Sequence, residues 1–119
     1  MSETVQAVAG VSFESEMLGK PGVALVDFWA PWCGPCRIMS PVVEDLAKTL
    51  RHEARVYSVN IDEAPQAAGR LEIHSIPTLV VFRDGQEIGR LVGARPKDQV
   101  LAWFRLLVGT AKTAASSTT

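Results

Sequence analysis

Seven consecutive residues, Val23-Ala24-Leu25-Val26-Asp27-Phe28-Trp29, hold a single charged side chain, and no other stretch limits the fold so tightly. Gly19, Pro21 and Gly22 stand just before the run, which is too short for a core helix and lacks the polar alternation of a strand with one wet face. It reads as a strand buried on both faces. Such a strand needs a covering layer above and another below, and helices supply such layers.

The periodicities that follow provide them. From Gly34 to about Arg51, Ile38, Met39, Val42, Val43, Leu46, Ala47 and Leu50 recur at helical spacing, with Arg37, Glu44, Asp45 and Lys48 between them. Pro41 lies inside this segment and removes one backbone donor, so a bend is expected there. Arg55–Ile61 places Val56, Ser58 and Asn60 opposite Tyr57, Val59 and Ile61, a strand pattern. Pro65 opens a short helix to about Leu71. Thr78–Arg83 and Gln86–Val92 flank Asp84-Gly85, the strongest short-range hairpin pattern. Pro96 opens a last helix with Val100, Leu101, Phe104, Leu107 and Val108 on one stripe. Ser12–Lys20 is expected to form a short first helix, and Gln6–Val8 an edge strand. This order predicts an α/β fold, a central mixed β-sheet with helices on both faces.

With 119 residues, one domain is expected over residues 1–109, followed by a mobile polar tail over 110–119. A net charge of -1 provides no electrostatic footprint for nucleic acid or anionic lipid. No apolar run approaches the ~20 residues of a membrane span, and the first residues, with Ser2 and Glu3, do not read as a secretory leader. A cytoplasmic location is the expectation.

The chain contains two cysteines, Cys33 and Cys36, too close together to act as a structural staple. They fall where the buried strand gives way to the main helix. Residues three apart on a helix share a face, so the two sulfurs can bridge with little backbone motion. At the helix N-terminus, unpaired N–H groups and the positive dipole end favour the thiolate of Cys33, the form that attacks disulfides. Cys33 is expected to be exposed and nucleophilic. Cys36, one turn inside, is expected to be more buried and to resolve a mixed disulfide, with Pro35 stiffening the turn between them. The same spacing suits half a zinc site, but four ligands are needed and His52 and His74 fall in unrelated elements. No metal is therefore assigned. An inert core pair fits poorly beside Gly34, Pro35, Trp29 and Trp32.

On these residues the sequence resembles the thioredoxin family. The match includes Trp32-Cys33-Gly34-Pro35-Cys36, Asp27-Phe28-Trp29-Ala30, Ser75-Ile76-Pro77-Thr78, Asp84-Gly85 and Val92-Gly93-Ala94, spanning roughly Val23 to Leu107. The resemblance implies the thioredoxin fold and reduction of protein disulfides, with re-reduction by an NADPH-dependent flavoprotein thioredoxin reductase. It also implies that Asp27 is a buried proton acceptor for Cys36, that the Ile76–Pro77 bond is cis, and that Trp32, Gly34, Pro35, Ile76, Pro77 and Gly93 form the substrate surface. From the residues alone, a strand-end carboxylate reaching solvent is the less favoured alternative for Asp27, and Gly93 reads as a close-approach or turn glycine, with a plain strand-end glycine as the alternative. Ser58 stands where the family usually has a lysine near the acid, which removes one influence on Asp27.

No G-x-G-x-x-G loop follows a strand, so the chain itself is expected to bind no dinucleotide and to need no cofactor. A monomer is expected. An oxidant or isomerase of the protein disulfide isomerase type would typically have His where Pro35 stands and an exported location. A scaffold role with an incidental dithiol is the other alternative, and insulin reduction separates it from a carrier. His52, His74 and Arg37 are assigned no chemistry.

Overall fold

A computed structural model describes residues 5–7 and 20–117. The strands are β1 (Val5–Ala7), β2 (Val23–Trp29), β3 (Arg55–Asn60), β4 (Thr78–Arg83) and β5 (Gln86–Val92). The helices are α1 (Gly34–Thr49), α2 (Pro65–Arg70) and α3 (Lys97–Ser117). The strands form one mixed sheet in the order β1-β3-β2-β4-β5, parallel from β1 through β3 to β2 and antiparallel from β2 through β4 to β5.

The two faces of β2 explain its unbroken apolar character. Ala24, Val26 and Phe28 join Tyr57, Val59, Val80 and Phe82 on one face, closed by Ala64 and Ala67 around α2. Leu25 joins Val56, Leu79 and Val81 on the other, beneath Met39, Val43, Leu46 and Leu50 of α1 and Val100 and Phe104 of α3. Full burial of each large apolar side chain contributes about 1.5–3 kcal/mol, so both layers hold the sheet. Asp27 lies on the α1 face, in register with Ser58 on β3 and Leu79 on β4.

Asp84 and Gly85 have φ of 52° and 85°, the two positive values a tight β4–β5 hairpin needs. Pairing shifts between Val81 and Phe82, where a bulge takes up one residue of β5. Two expected boundaries move. The edge strand includes Val5, one residue before the expected Gln6, and is described as far as Ala7; Val8 lies outside the described residues. The last helix does not stop at Gly109 but runs to Ser117, since a single glycine costs a helix only about 1 kcal/mol and the alanines beyond it favour the helix. Pro41 lies inside α1 without ending it. The expected helix over Ser12–Lys20 lies outside the described residues but for Lys20.

Candidate functional site

The site begins at the end of β2. Ala30 and Pro31 turn the chain, the Cys33 amide donates to the Ala30 carbonyl at 3.1 Å, and Cys33 becomes the N-cap of α1 with extended backbone. Its sulfur accepts the amide N–H of Cys36 at 3.2 Å, so the helix end faces Cys33 Sγ as the spacing predicts. Gly34 and Pro35 form the first turn, where proline loses no helical hydrogen bond.

Cys33 and Cys36 are joined as a disulfide, with Cα atoms 5.3 Å apart. The expectation of an exposed Cys33 is not met in this oxidised state: Cys33 is 5% exposed and Cys36 4%. Each sulfur shields the other, and Trp29, Ala30, Ile61 and Ile76 pack around the pair.

Segments distant in sequence meet at the disulfide and beside it. The Ile76 carbonyl oxygen lies 3.8 Å from Cys33 Sγ, and the Ile76–Pro77 bond is cis. The Pro77 carbonyl accepts the Gly93 amide at 2.8 Å. Gly93 has a φ of +97°, and a Cβ there would meet nothing within 4 Å, so it is a turn glycine and not a close-approach one. Trp32 is 66% exposed beside Cys33, and its indole N–H donates to both Asp62 oxygens, at 2.9 and 3.2 Å. Asp62 itself is fixed where its amide donates to Asn60 Oδ1 at 3.0 Å. No pattern in the sequence pointed to Asp62, whose partner is thirty residues away.

Beneath Cys36 a cavity of about 240 Å³ opens between α1 and β1, β2 and β3, with Asp27, Ser58, Ser40, Glu44 and Arg37 among its walls. Asp27 is 5% exposed, which decides against a strand-end carboxylate reaching solvent. Burial, which penalises the charged form, raises its pKa from 3.8 to about 7. Its Oδ1 is buried and no described protein group bonds it. Ser58 supplies a hydroxyl to the same cavity and no charge. His52 and His74 are exposed, and among the described residues no three His, Cys, Asp or Glu side chains converge to hold a metal.

Ile38 corrects the sequence reading in another way. Its helical spacing placed it on the apolar stripe, yet it is 67% exposed, because it lies about 100° around the helix from fully buried Met39, at the edge of the face that packs on the sheet.

Comparison with known proteins bears on this arrangement. The thioredoxin family model matches residues 4–105. A protein named Thioredoxin 1 from Synechococcus elongatus is 48% identical over 91 residues, 76% of this chain and 85% of that protein. Thioredoxin 1 from Nostoc sp. is 47% identical over 97 residues, 82% of this chain and 90% of its own length. A thioredoxin of Staphylococcus aureus is 44% identical over 93 residues, 78% and 88% of the two chains. With Cys33 and Cys36 bonded at the head of α1, the chain belongs to the thioredoxin family and is a thiol–disulfide oxidoreductase that reduces protein disulfides through this pair.

Proposed function

We propose that Cys33 is the attacking thiol, Cys36 the resolving thiol and Asp27 the acceptor of the Cys36 proton. In the reduced protein the Cys33 thiolate attacks one sulfur of a substrate disulfide, forming a mixed disulfide and expelling the first substrate thiolate. Cys36 then transfers its proton to Asp27, attacks Cys33 Sγ and expels the second thiolate. Two electrons pass to the substrate, and Cys33–Cys36 becomes the disulfide seen here.

The observation that carries this assignment is the Cys36 amide directed at Cys33 Sγ, which favours negative charge on Cys33 and on no other sulfur. An acid with a pKa of about 7 is substantially ionised near neutral pH and can accept a proton there. Its place on the wall of the cavity that Cys36 also lines supports the role.

Trp32, Gly34, Pro35, Ile76, Pro77 and Gly93 form the docking surface in this reading, with the backbone beside Pro77 pairing to an extended substrate segment. Disulfide-containing proteins and a thioredoxin reductase are the partners that family membership implies. We assign re-reduction to an NADPH-dependent flavoprotein of that type, acting in the cytoplasm on a monomer whose working domain is residues 1–109 with 110–119 appended. No helix among the described residues is long and apolar enough to cross a membrane.

Insulin reduction by dithiothreitol tests the assignment. The wild-type chain accelerates it and Cys33→Ser does not. Acceleration retained by Cys33→Ser contradicts the role of Cys33, and no acceleration by the wild type leaves a scaffold in place of a reductase.

A further inference from the structure

The charges around the disulfide are unevenly matched. Lys97 pairs with Asp45 at 3.3 Å, Arg105 with Glu53 at 2.8 Å, and Arg90 with Glu87 at 2.6 Å, all away from the dithiol. The two arginines that border the site are tied differently. Arg37 Nη2 donates to the Pro31 carbonyl at 3.2 Å, and Arg95 Nη2 donates to the Val92 carbonyl at 3.0 Å. Both are exposed, and among the described residues neither has a carboxylate partner. A backbone carbonyl orients a guanidinium without neutralising its charge.

Their positions bracket the docking surface. Pro31 immediately precedes Trp32, and Val92 immediately precedes Gly93, whose amide bonds Pro77. The Arg95 amide rests on Met39 Sδ at 3.4 Å, which places this loop against the flank of α1 beside exposed Ile38. Of the acidic groups near the rim, Asp62 is engaged by the Trp32 indole, and Glu44 lies two helical turns from Arg37 along the cavity wall.

We infer that this oxidoreductase selects disulfides set in acidic segments, and that Arg95 is the residue that determines the preference. The inference rests on the docking surface proposed above. A substrate strand seated along Ile76 and Pro77 presents its flanking side chains to Arg95 at one rim and Arg37 at the other, where carboxylates gain charge-assisted hydrogen bonds to already oriented donors. The chain as a whole carries -1, so the attraction is local to the rim, not a general field, and it weakens with salt.

The test uses two synthetic peptides with the same intramolecular disulfide, one flanked by glutamates and one by lysines, reduced by the full chain. The expected kcat/KM ratio at low ionic strength favours the glutamate peptide about three- to tenfold and shrinks in high salt. Arg95→Glu reverses the preference. Arg51→Glu changes net charge equally, but Arg51 lies beyond the far end of α1, about 24 Å of helix from the dithiol, and leaves the ratio unchanged. Equal rates for the two peptides overturn the inference, as does a ratio that responds equally to both substitutions. Failure of the wild type to reduce either peptide would instead contradict the proposed function itself.

Discussion

Replacing Asp27 by alanine should stabilise the oxidised protein near neutral pH and leave it unchanged or weaker in acid. The carboxyl is buried, its Oδ1 has no protein partner, and its pKa is raised from 3.8 to about 7. A raised acid binds more protons folded than unfolded between those values, so its contribution to stability is intact below about pH 4, falls as pH rises, and levels above about pH 7. At about 1.4 kcal/mol per pH unit over that interval, the ionising carboxyl withdraws about 4 kcal/mol. Truncation beside an existing cavity loses contacts worth about 1–2 kcal/mol, which leaves a net gain of about 2–3 kcal/mol at pH 8. Urea melts of wild type and Asp27→Ala at pH 5 and pH 8 measure both terms. The wild type should lose stability between the two values while the variant changes much less. Parallel changes, or a variant weaker than wild type at pH 8, would refute desolvation as the cause. In the same variant the resolving step should slow, because Cys36 loses its proton acceptor.

A Cβ on Gly89 would lie 2.5 Å from Leu107 Cδ2, the free end of a half-buried side chain that can turn aside, so Gly89→Ala should cost about 1 kcal/mol or less, and a double-mutant cycle with Leu107→Ala should show favourable coupling; additive effects would mean that α3 does not press on β5. Arg90 reaches the Leu71 carbonyl at 2.8 Å and the Glu72 carbonyl at 3.3 Å as well as Glu87, and Arg90→Ala should lower the denaturation free energy by about 1–2 kcal/mol. Glu87→Gln, which removes only the exposed ion pair, should cost less than 1 kcal/mol.

What the sequence made legible was local. The doubly buried β2, the amphipathic α1, the Asp84-Gly85 hairpin and the Cys33–Cys36 pair each follow from spacing within a few residues, because side-chain periodicity and turn chemistry act over that distance. Asp27 stood out for the same reason, as an acid in an apolar run. What escaped was set by packing between elements. Trp32 and Asp62 meet only because β2 and β3 are neighbours in register. Ile38 follows the helical stripe, but how wide a strip of the helix is covered depends on what packs against it. The shielding of Cys33 comes from Trp29, Ala30, Ile61 and Ile76, from three separate segments of the chain. Gly89 did carry a mark, since glycine inside a strand often records a close neighbour, although nothing local identified Leu107. That Arg37 and Arg95 lack a carboxylate partner among the described residues is visible only once the partners of the other cations there are known.

The division of labour between the two sulfurs is tested most directly by mapping the mixed disulfide formed by Cys36→Ser. Mixed with a disulfide-bearing protein substrate after prior reduction, the variant should accumulate a covalent adduct, and peptide mapping should find the substrate bound through Cys33 Sγ. Adding dithiothreitol should release it. Cys33→Ser should form little adduct over the same time, since Cys36 is held beneath Cys33 and lacks the amide that favours its thiolate. Adducts that form readily through Cys36 in Cys33→Ser, or a Cys36→Ser variant that turns over without accumulating any adduct, would contradict attack by Cys33 and resolution by Cys36.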